Sequence, residues 1–250
     1  MRNFPKIFAL HEETKKPVQV PSDSDKWPES WKKVEFKEYK RFPKFLLPEP
    51  KQLSTSLQNV LENRRSRREF DKEGTLTSEE ISSLLFWAAG IKENRENPEK
   101  STRFHPSGGA RYPLEIYLYF RGNPEIPEGF YHYNIKGHHL ESLPVENPAE
   151  AVRSLPTYDF AYDAPLFIFI TAIFDRTMRK YSERGYRFAN LEAGVVFENF
   201  YLVAEALGLA ACGIGSALDK KLEEILELED DVESYLTALV FGRKKNERRA

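Results

Sequence analysis

The chain is poor in cysteine and methionine, with one of the first and two of the second among 250 residues. A lone cysteine, Cys212, excludes an internal disulfide framework and any metal site built from several cysteines. The net charge is only -2 and the pI about 6.3, which disfavours a protein devoted to nucleic acid. The composition therefore predicts a globular protein whose partners include neither nucleic acid nor metal.

Long uninterrupted apolar stretches are also missing. Residues 1–10 lack the apolar core of a secretory signal. The longest apolar helical stretch, Phe188 to Ala211, is broken by Glu192, Glu198 and Glu205, which predicts a buried helix instead of a membrane helix. We expect a cytoplasmic protein without a membrane partner.

Several common motifs are absent as well. The sequence has no Gly-x-x-x-x-Gly-Lys-Ser/Thr loop, and Gly213-Ile214-Gly215 does not continue into a dinucleotide fingerprint. It has no Gly-x-Ser-x-Gly elbow, and its five histidines lack metal-ligand spacing. ATPases, Rossmann dehydrogenases, serine hydrolases and zinc enzymes are therefore disfavoured.

What is present is a dense basic cluster, Arg64-Arg65-Ser66-Arg67-Arg68, at the end of a predicted helix. Arginine's planar fork binds phosphate with paired, charge-assisted hydrogen bonds. The alternative is a solvated helix end whose cations complement the helix dipole. Ser66 inside the cluster and the apolar Phe70 after it make a phosphate site as reasonable as the solvated end.

The order of elements predicts an α+β fold. Residues 1–50, rich in proline and aromatics, are predicted to form an extended arm, and residues 51–250 one domain. Helices are predicted from Ser54 into the arginine cluster, and at Thr77–Ala89, 147–155, 185–208 and 219–227. Strands are predicted at 114–120 (half-buried), 130–133, 139–143, 166–174 and 235–241, with loops at 91–113 and 211–216. The sheet would have roughly four or five strands between helices.

Several segments together resemble the FMN-dependent nitroreductase superfamily, and more closely its SagB-type dehydrogenase branch. The resemblance rests on Arg64–Phe70, Leu84–Gly90, Pro106–Glu115, Phe130–Tyr133, Lys180–Arg187 and Leu191–Gly194, with Leu10–Lys15 in the arm. It covers nearly the whole chain. Ala110 stands where many plain nitroreductases carry asparagine, which favours the SagB-type branch.

The resemblance implies a nitroreductase-like fold with a central mixed or antiparallel sheet flanked by helices. It also implies an intertwined homodimer with FMN at the interface. The phosphate of FMN would be held by Arg64, Arg65, Ser66 and Arg68, and Arg243 or Lys245 would complete that phosphate site. The flavin ring would be approached from the other subunit by Pro106, Ser107, Gly108 and Ala110. The residues near flavin N5 would be Gly213, Ile214 and Gly215. Arg67 would point away.

The same resemblance implies an oxidoreductase that converts a peptide azoline or related small heterocycle to the azole. Lys180 and Tyr181 would be catalytic, with Lys180 as the base, unless the pair is simply solvated in an exposed loop. Two other functions stay open. One is an NAD(P)H-dependent nitro- or flavin reductase, and the other is a flavin-holding partner subunit without turnover.

Overall fold

A seven-stranded sheet forms the centre of the computed structural model, which describes residues 4–216 and 218–245. Every neighbouring pair of its strands is antiparallel. The spatial order is β1 (Lys44–Leu46), β6 (His139–Ser142), β5 (Gly129–Asn134), β4 (Leu114–Phe120), β7 (Leu166–Ala172), β9 (Ser234–Arg243) and β8 (Leu209–Ile214). A separate hairpin pairs β2 (Ile91–Glu93) with β3 (Thr102–Arg103).

Helices cover both faces of this sheet. One apolar cluster joins α4 (Ser78–Ala89) and α7 (Arg184–Ala206) to one face, and a second joins α5 (Pro148–Arg153) and α8 (Asp219–Ile225) to the other. The remaining helices are α1 (Pro5–Glu13), α2 (Glu29–Lys32), α3 (Leu57–Asn63) and α6 (Asp175–Tyr181). Within the described residues, no helix is long and apolar enough to cross a membrane.

The central strands β4 and β7 pair over their whole length and are buried on both faces. The strand predicted at 114–120 is therefore present, but the half-buried environment predicted for it is wrong, because helices cover both of its faces. The sheet also has more strands than predicted. The extra edge strands β1 and β8 come from segments that carry no strong strand pattern of their own.

Capping residues determine where helices α3 and α4 begin and end. Thr77 caps α4 with a capping box, in which Glu80 accepts the Thr77 backbone amide at 2.9 Å, and Gly90 ends the helix. The N-cap residue of helix α3 is Ser56, two residues after the predicted start at Ser54, because the Ser56 hydroxyl accepts the amide of Asn59. It ends at Asn63, so the arginine cluster follows the helix instead of lying within it.

The arm is not extended throughout, since it contains α1, α2 and the edge strand β1. Helix α1 is attached to α7, where Arg187 contacts Thr14 Oγ1 and lies 3.2 Å from His11 Nδ1. Strand β1 pairs with β6. These contacts, made with residues far away in sequence, give the arm the regular structure that its proline-rich composition did not predict.

Candidate functional site

The arginine cluster runs along the free edge of the sheet beside β8. The backbone amide of Arg67 donates to Ala211 O at 2.8 Å, and Ser66 bridges the same residue. Beyond it, Phe70 bridges Lys244 next to the end of β9. The cluster is therefore an ordered extended segment anchored to two strands, and not a frayed helix end.

The four arginine side chains have different surroundings. Arg64 lies 3.6 Å from Glu198 and stacks over the Tyr201 ring, while Arg67 reaches Glu205 at 3.8 Å. Arg65 and Arg68 are exposed and form no ion pair with any described residue. Arg65 Nη1 donates to the carbonyl oxygens of Glu62 and Arg64, at 2.9 and 2.8 Å, but no carboxylate of a described residue neutralises either guanidinium. Together with the Ser66 hydroxyl, these two charges make this edge suitable for a phosphate-like anion.

Tyr201 on α7 connects this cluster to the glycine segment. Its hydroxyl accepts the backbone amide of Gly213 at 2.6 Å and lies 3.0 Å from Ser66 Oγ. Because the oxygen accepts from Gly213, its own proton is free to donate to Ser66. Sequence analysis missed Tyr201, although a tyrosine inside a buried helix needs a partner for its hydroxyl.

The segment predicted as a loop at 211–216 is strand β8 as far as Ile214, which corrects that prediction. Pairing with β9 imposes the strand, since Gly213 lies opposite Leu239 and Ile214 opposite Ala238. A side chain at Gly213 would collide with the Phe197 ring, whereas the space beside Gly215 is open. The strand thus carries Gly213, Ile214 and Gly215 away from the arginine cluster along α7.

The proline-glycine loop lies near the other end of α7. Pro106, Ser107 and Gly108 line a cavity of about 290 Å³ together with Phe188, Leu191, Glu192 and Val195 of that helix. The loop is held internally by Ser107 Oγ, which accepts the amide of Tyr112 at 2.8 Å. Gly109 (φ 66°) and Ala110 (φ 54°) both adopt left-handed backbone conformations.

Lys180 and Tyr181 pack against this loop. A side chain at Gly109 would collide with the Tyr181 hydroxyl and lie 3.2 Å from Lys180 Nζ. Lys180 is 3% exposed at the end of α6, so the alternative of a solvated loop lysine is wrong. Burial and the Arg111 guanidinium lower the pKa of Lys180, and burial raises the pKa of Tyr181.

The predicted site residues therefore form two groups in one chain. Ser66 contacts α7 at Tyr201, whereas Gly108 approaches it at Phe188. Thirteen residues of helix separate these contacts, or roughly 20 Å at 1.5 Å per residue. Arg64–Arg68 and Gly213–Gly215 belong to the first group, and Pro106–Ala110 with Lys180 and Tyr181 belong to the second.

Arg243 is occupied elsewhere. Its guanidinium contacts both carboxylate oxygens of Glu80 at 2.5 and 2.7 Å and donates to Thr75 O at 3.2 Å. The alternative residue, Lys245, is 65% exposed and lies 3.2 Å from Glu69, next to Arg68 in the chain. Of the two basic residues considered, Lys245 is better placed to face an anion at the cluster.

A network of buried charged residues holds helix α6 against strand β4. His132 lies between Glu115 and Glu141, with 2.9 Å from its ring nitrogens to each carboxylate. Arg176, one helical turn before Lys180, reaches Glu115 at 2.6 Å and Tyr112 O at 3.2 Å. The network fixes both α6 and the end of the proline-glycine loop against β4.

Comparison with known proteins agrees with this architecture. The nitroreductase family profile matches residues 61–243. The Methanocaldococcus jannaschii protein MJ1384, provisionally named a nitroreductase, is 36% identical over 75% of this chain and 91% of its own. The chain belongs to the nitroreductase family, as predicted, and is a flavin oxidoreductase of that family.

Two further relatives are named as processing proteins. The trifolitoxin-processing protein TfxB of Rhizobium leguminosarum is 34% identical over 67% of this chain, and the microcin B17-processing protein McbC of Escherichia coli 30% identical over 58%. The chain matches about half of each of these longer proteins, 48% and 56% respectively. These relatives agree with the predicted SagB-type branch.

Solved structures show the same fold. A Ralstonia eutropha nitroreductase superposes with a TM-score of 0.66 at 24% identity, covering 91% of this chain and 97% of its own. The Escherichia coli microcin synthetase McbBCD complex, solved with a truncated propeptide, gives 0.62 at 23%, covering 98% and 93%. A nitroreductase of Exiguobacterium sibiricum solved with FMN gives 0.54 at 14%, covering 77% and 90%. The predicted α+β nitroreductase fold is confirmed.

Proposed function

We propose that this chain is an FMN-dependent dehydrogenase of the SagB type, which oxidises an azoline ring in a peptide or a related small heterocycle to the azole. The observation that carries the proposal is the position of Lys180 and Tyr181. Both pack against Gly109 in the loop that we expect to approach the flavin ring, and Lys180 is buried with a lowered pKa.

The residues present fit FMN. Arg65 and Arg68 are exposed and have no carboxylate partner among the described residues, and Ser66 adds a hydroxyl, so a single phosphate has donors on several sides. Gly213 leaves room for the Phe197 ring to pack against the strand, and the space beside Gly215 is open. When bound, FMN supplies the acceptor for a hydride, which the protein's own side chains do not offer.

A second copy of the chain is part of the proposal. The phosphate-side residues and the Pro106–Ala110 loop lie roughly 20 Å apart along α7, at 1.5 Å per residue. Leu191 and Val195 on that helix are exposed, at 62% and 38%, as are Leu57 and Leu61 of α3. A homodimer that covers these side chains would bring one copy's loop to the other copy's arginine cluster.

The chain's own residues account for the proton. Oxidation of an azoline to an azole removes two hydrogens from adjacent ring carbons and leaves a new double bond. One would leave as a hydride, for which bound FMN would be the acceptor, and the other would leave as a proton, for which Lys180 Nζ is the proposed acceptor. Tyr181, one residue on, would orient the ring with its hydroxyl.

A nitro- or flavin reductase that takes electrons from NAD(P)H is the second candidate. It is favoured by the similarity to MJ1384, which this chain covers almost completely. The two candidates differ in the electron donor, so they are separable by flavin reduction. A flavin-holding partner subunit without turnover is a third possibility, to which no contact in the structure points.

The base assignment is tested by Lys180→Met, which keeps the length of the side chain and removes the amine. We expect azoline oxidation to fall by roughly a hundredfold or more, the usual contribution of a positioned base, with the yellow flavin colour retained. Lys40→Met, at an exposed lysine of the arm, is the control. Wild-type oxidation rates in FMN-loaded Lys180→Met would refute the role of Lys180.

A further inference from the structure

Lys180 is covered by the arm of its own chain. Its amine lies 3.5 Å from the centre of the Trp27 indole and 5.7 Å from that of Trp31, and the two indoles meet edge to face. No carboxylate of a described residue pairs with it. An ammonium held on an indole face and 3% exposed is shielded from water and from any reactant.

The covering segment, residues 24–32, is fixed by few hydrogen bonds. Trp27 Nε1 donates to Pro21 O at 2.7 Å within the arm, and Arg111 Nη1 donates to Ser30 O at 2.7 Å across to the loop. No residue from 21 to 32 is fully buried. The two indoles and one hydrogen bond from the Arg111 guanidinium therefore hold this segment on the rest of the chain.

Space for movement lies directly outside the indoles. A cavity of about 330 Å³ is bounded on the arm side by Ser24, Asp25, Trp27, Trp31 and Lys32, and on the loop side by Gly109, Ala110 and Arg111. It is lined by aromatic rings and by charges of both signs, which suits a peptide chain carrying a flat ring. The cavity ends where the Trp27 indole covers Lys180.

A proton acceptor must touch, directly or through one water, the group from which it takes the proton. In this structure the Trp27 indole fills the position facing Lys180 Nζ. We propose that this indole occupies the binding position of the substrate's planar five-membered heterocycle, which displaces Trp27 and takes its place facing Lys180 Nζ, beside the Gly109 loop. The proposal rests on the proposed role of Lys180 as the base.

Displacement of Trp27 would also favour loss of the proton from the Lys180 amine, which must be neutral to act as a base. The indole face stabilises the charged form of the amine, and its removal leaves a buried ammonium without that partner. The substrate ring thus removes the contact that keeps Lys180 protonated, at the moment when the amine comes within reach of the ring carbon. Trp31 and Arg111 remain to hold the flanking peptide.

Amine labelling of the FMN-loaded protein tests the covered state without requiring turnover. Brief treatment with acetic anhydride, followed by mass spectrometry, should modify Lys180 slowly in the wild type. Trp27→Ala should accelerate labelling of Lys180 by roughly tenfold or more, the effect expected from losing a desolvated cation–indole contact. Trp87→Phe on α4, remote from Lys180, and the exposed Lys40 are the controls. Equal Lys180 labelling in wild type and Trp27→Ala would overturn the proposal.

Ring binding is tested in Trp87→Phe, since the chain has only three tryptophans and both that remain line the cavity. A peptide amide carrying one thiazole ring should change the tryptophan emission of this variant and protect Lys180 from labelling. No change in either signal at saturating thiazole peptide would also overturn the proposal. If Lys180 is not the base, Lys180→Met turns over at the wild-type rate. That result is independent of the labelling and emission measurements.

Discussion

The hydroxyl of Tyr201 accepts the backbone amide of Gly213 at 2.6 Å. The same oxygen lies 3.0 Å from Ser66 Oγ, so one buried side chain joins the arginine cluster to strand β8. We propose that these two segments contact opposite ends of the same FMN molecule. Their relative position then depends on this tyrosine.

Tyr201→Phe should weaken FMN binding by about tenfold, because it leaves the Gly213 amide without its acceptor and Ser66 without its partner. Fluorescence titration of the apoprotein with FMN measures the affinity. Tyr186→Phe, at the exposed end of the same helix, is the matched control. An unchanged FMN affinity in Tyr201→Phe would show that the Tyr201 hydroxyl does not position the cofactor.

The phosphate clamp is tested by the double variant Arg64→Ala/Arg68→Ala. Two charge-assisted hydrogen bonds to phosphate are lost, so FMN affinity should fall by roughly a hundredfold or more. The protein should remain folded but be largely colourless when purified. Lys220→Ala/Lys221→Ala removes two exposed cations from α8 and should stay yellow. Full FMN retention in the arginine variant would refute the clamp.

Gly109→Ala tests the contact between the loop and the Lys180–Tyr181 pair. An alanine at φ 66° costs about 1–2 kcal/mol of stability, and its methyl group also collides with the Tyr181 hydroxyl. Gly208→Ala is the control, because its φ is 74° and nothing lies within 4 Å. Thermal unfolding should show similar losses, but only Gly109→Ala should lose turnover, by tenfold or more. Equal turnover in both variants would mean that the contact is dispensable.

The buried His132 network predicts how stability depends on pH. Burial opposes charge on all three groups, but the ion pairs outweigh it: the pKa values of Glu115 and Glu141 fall to about 2, and the pKa of His132 is raised. The carboxylates stabilise the fold above their ordinary pKa of 4.5, and this contribution is lost as the pH falls toward 2. The His132 contribution is complete below 6.5 and is lost as the pH rises through its folded pKa.

Urea unfolding across this range should therefore find the network strongest between about pH 4.5 and 6.5. His132→Gln should lower the free energy of unfolding by about 3 kcal/mol, because it removes the cation that two buried carboxylates share and leaves Glu115 with Arg176 alone. It should also remove the alkaline decline. His11→Gln on α1 is the control. A wild-type alkaline decline that persists in His132→Gln would contradict this account.

Local sequence signals predicted much of the fold. The helix predicted at Thr77–Ala89 is α4, and the strand predicted at 166–174 is the central strand β7. Strand β8 was missed, because two glycines disfavour a strand locally and only pairing with β9 imposes it. The arm's helix α1 was missed as well.

The candidate site, too, has features that the sequence predicted and features that it did not. Charge density and glycine spacing indicated the residues, but not their environment. Lys180 is buried because Trp27, more than 150 positions earlier, lies on it, and Arg243 faces Glu80 because β9 ends beside α4. Contacts of this kind are set by tertiary packing, which a single sequence does not reveal.

The central claim is that the flavin of this protein takes its electrons from an azoline ring. Anaerobic mixing of the FMN-loaded protein with a thiazoline peptide, followed by stopped-flow absorbance, measures that transfer directly. We expect the thiazoline peptide to bleach the flavin, NADH and NADPH to leave it oxidised, and Lys180→Met to slow the bleaching. Bleaching by NADH or NADPH with no response to the thiazoline peptide would contradict it and identify a nicotinamide-dependent reductase.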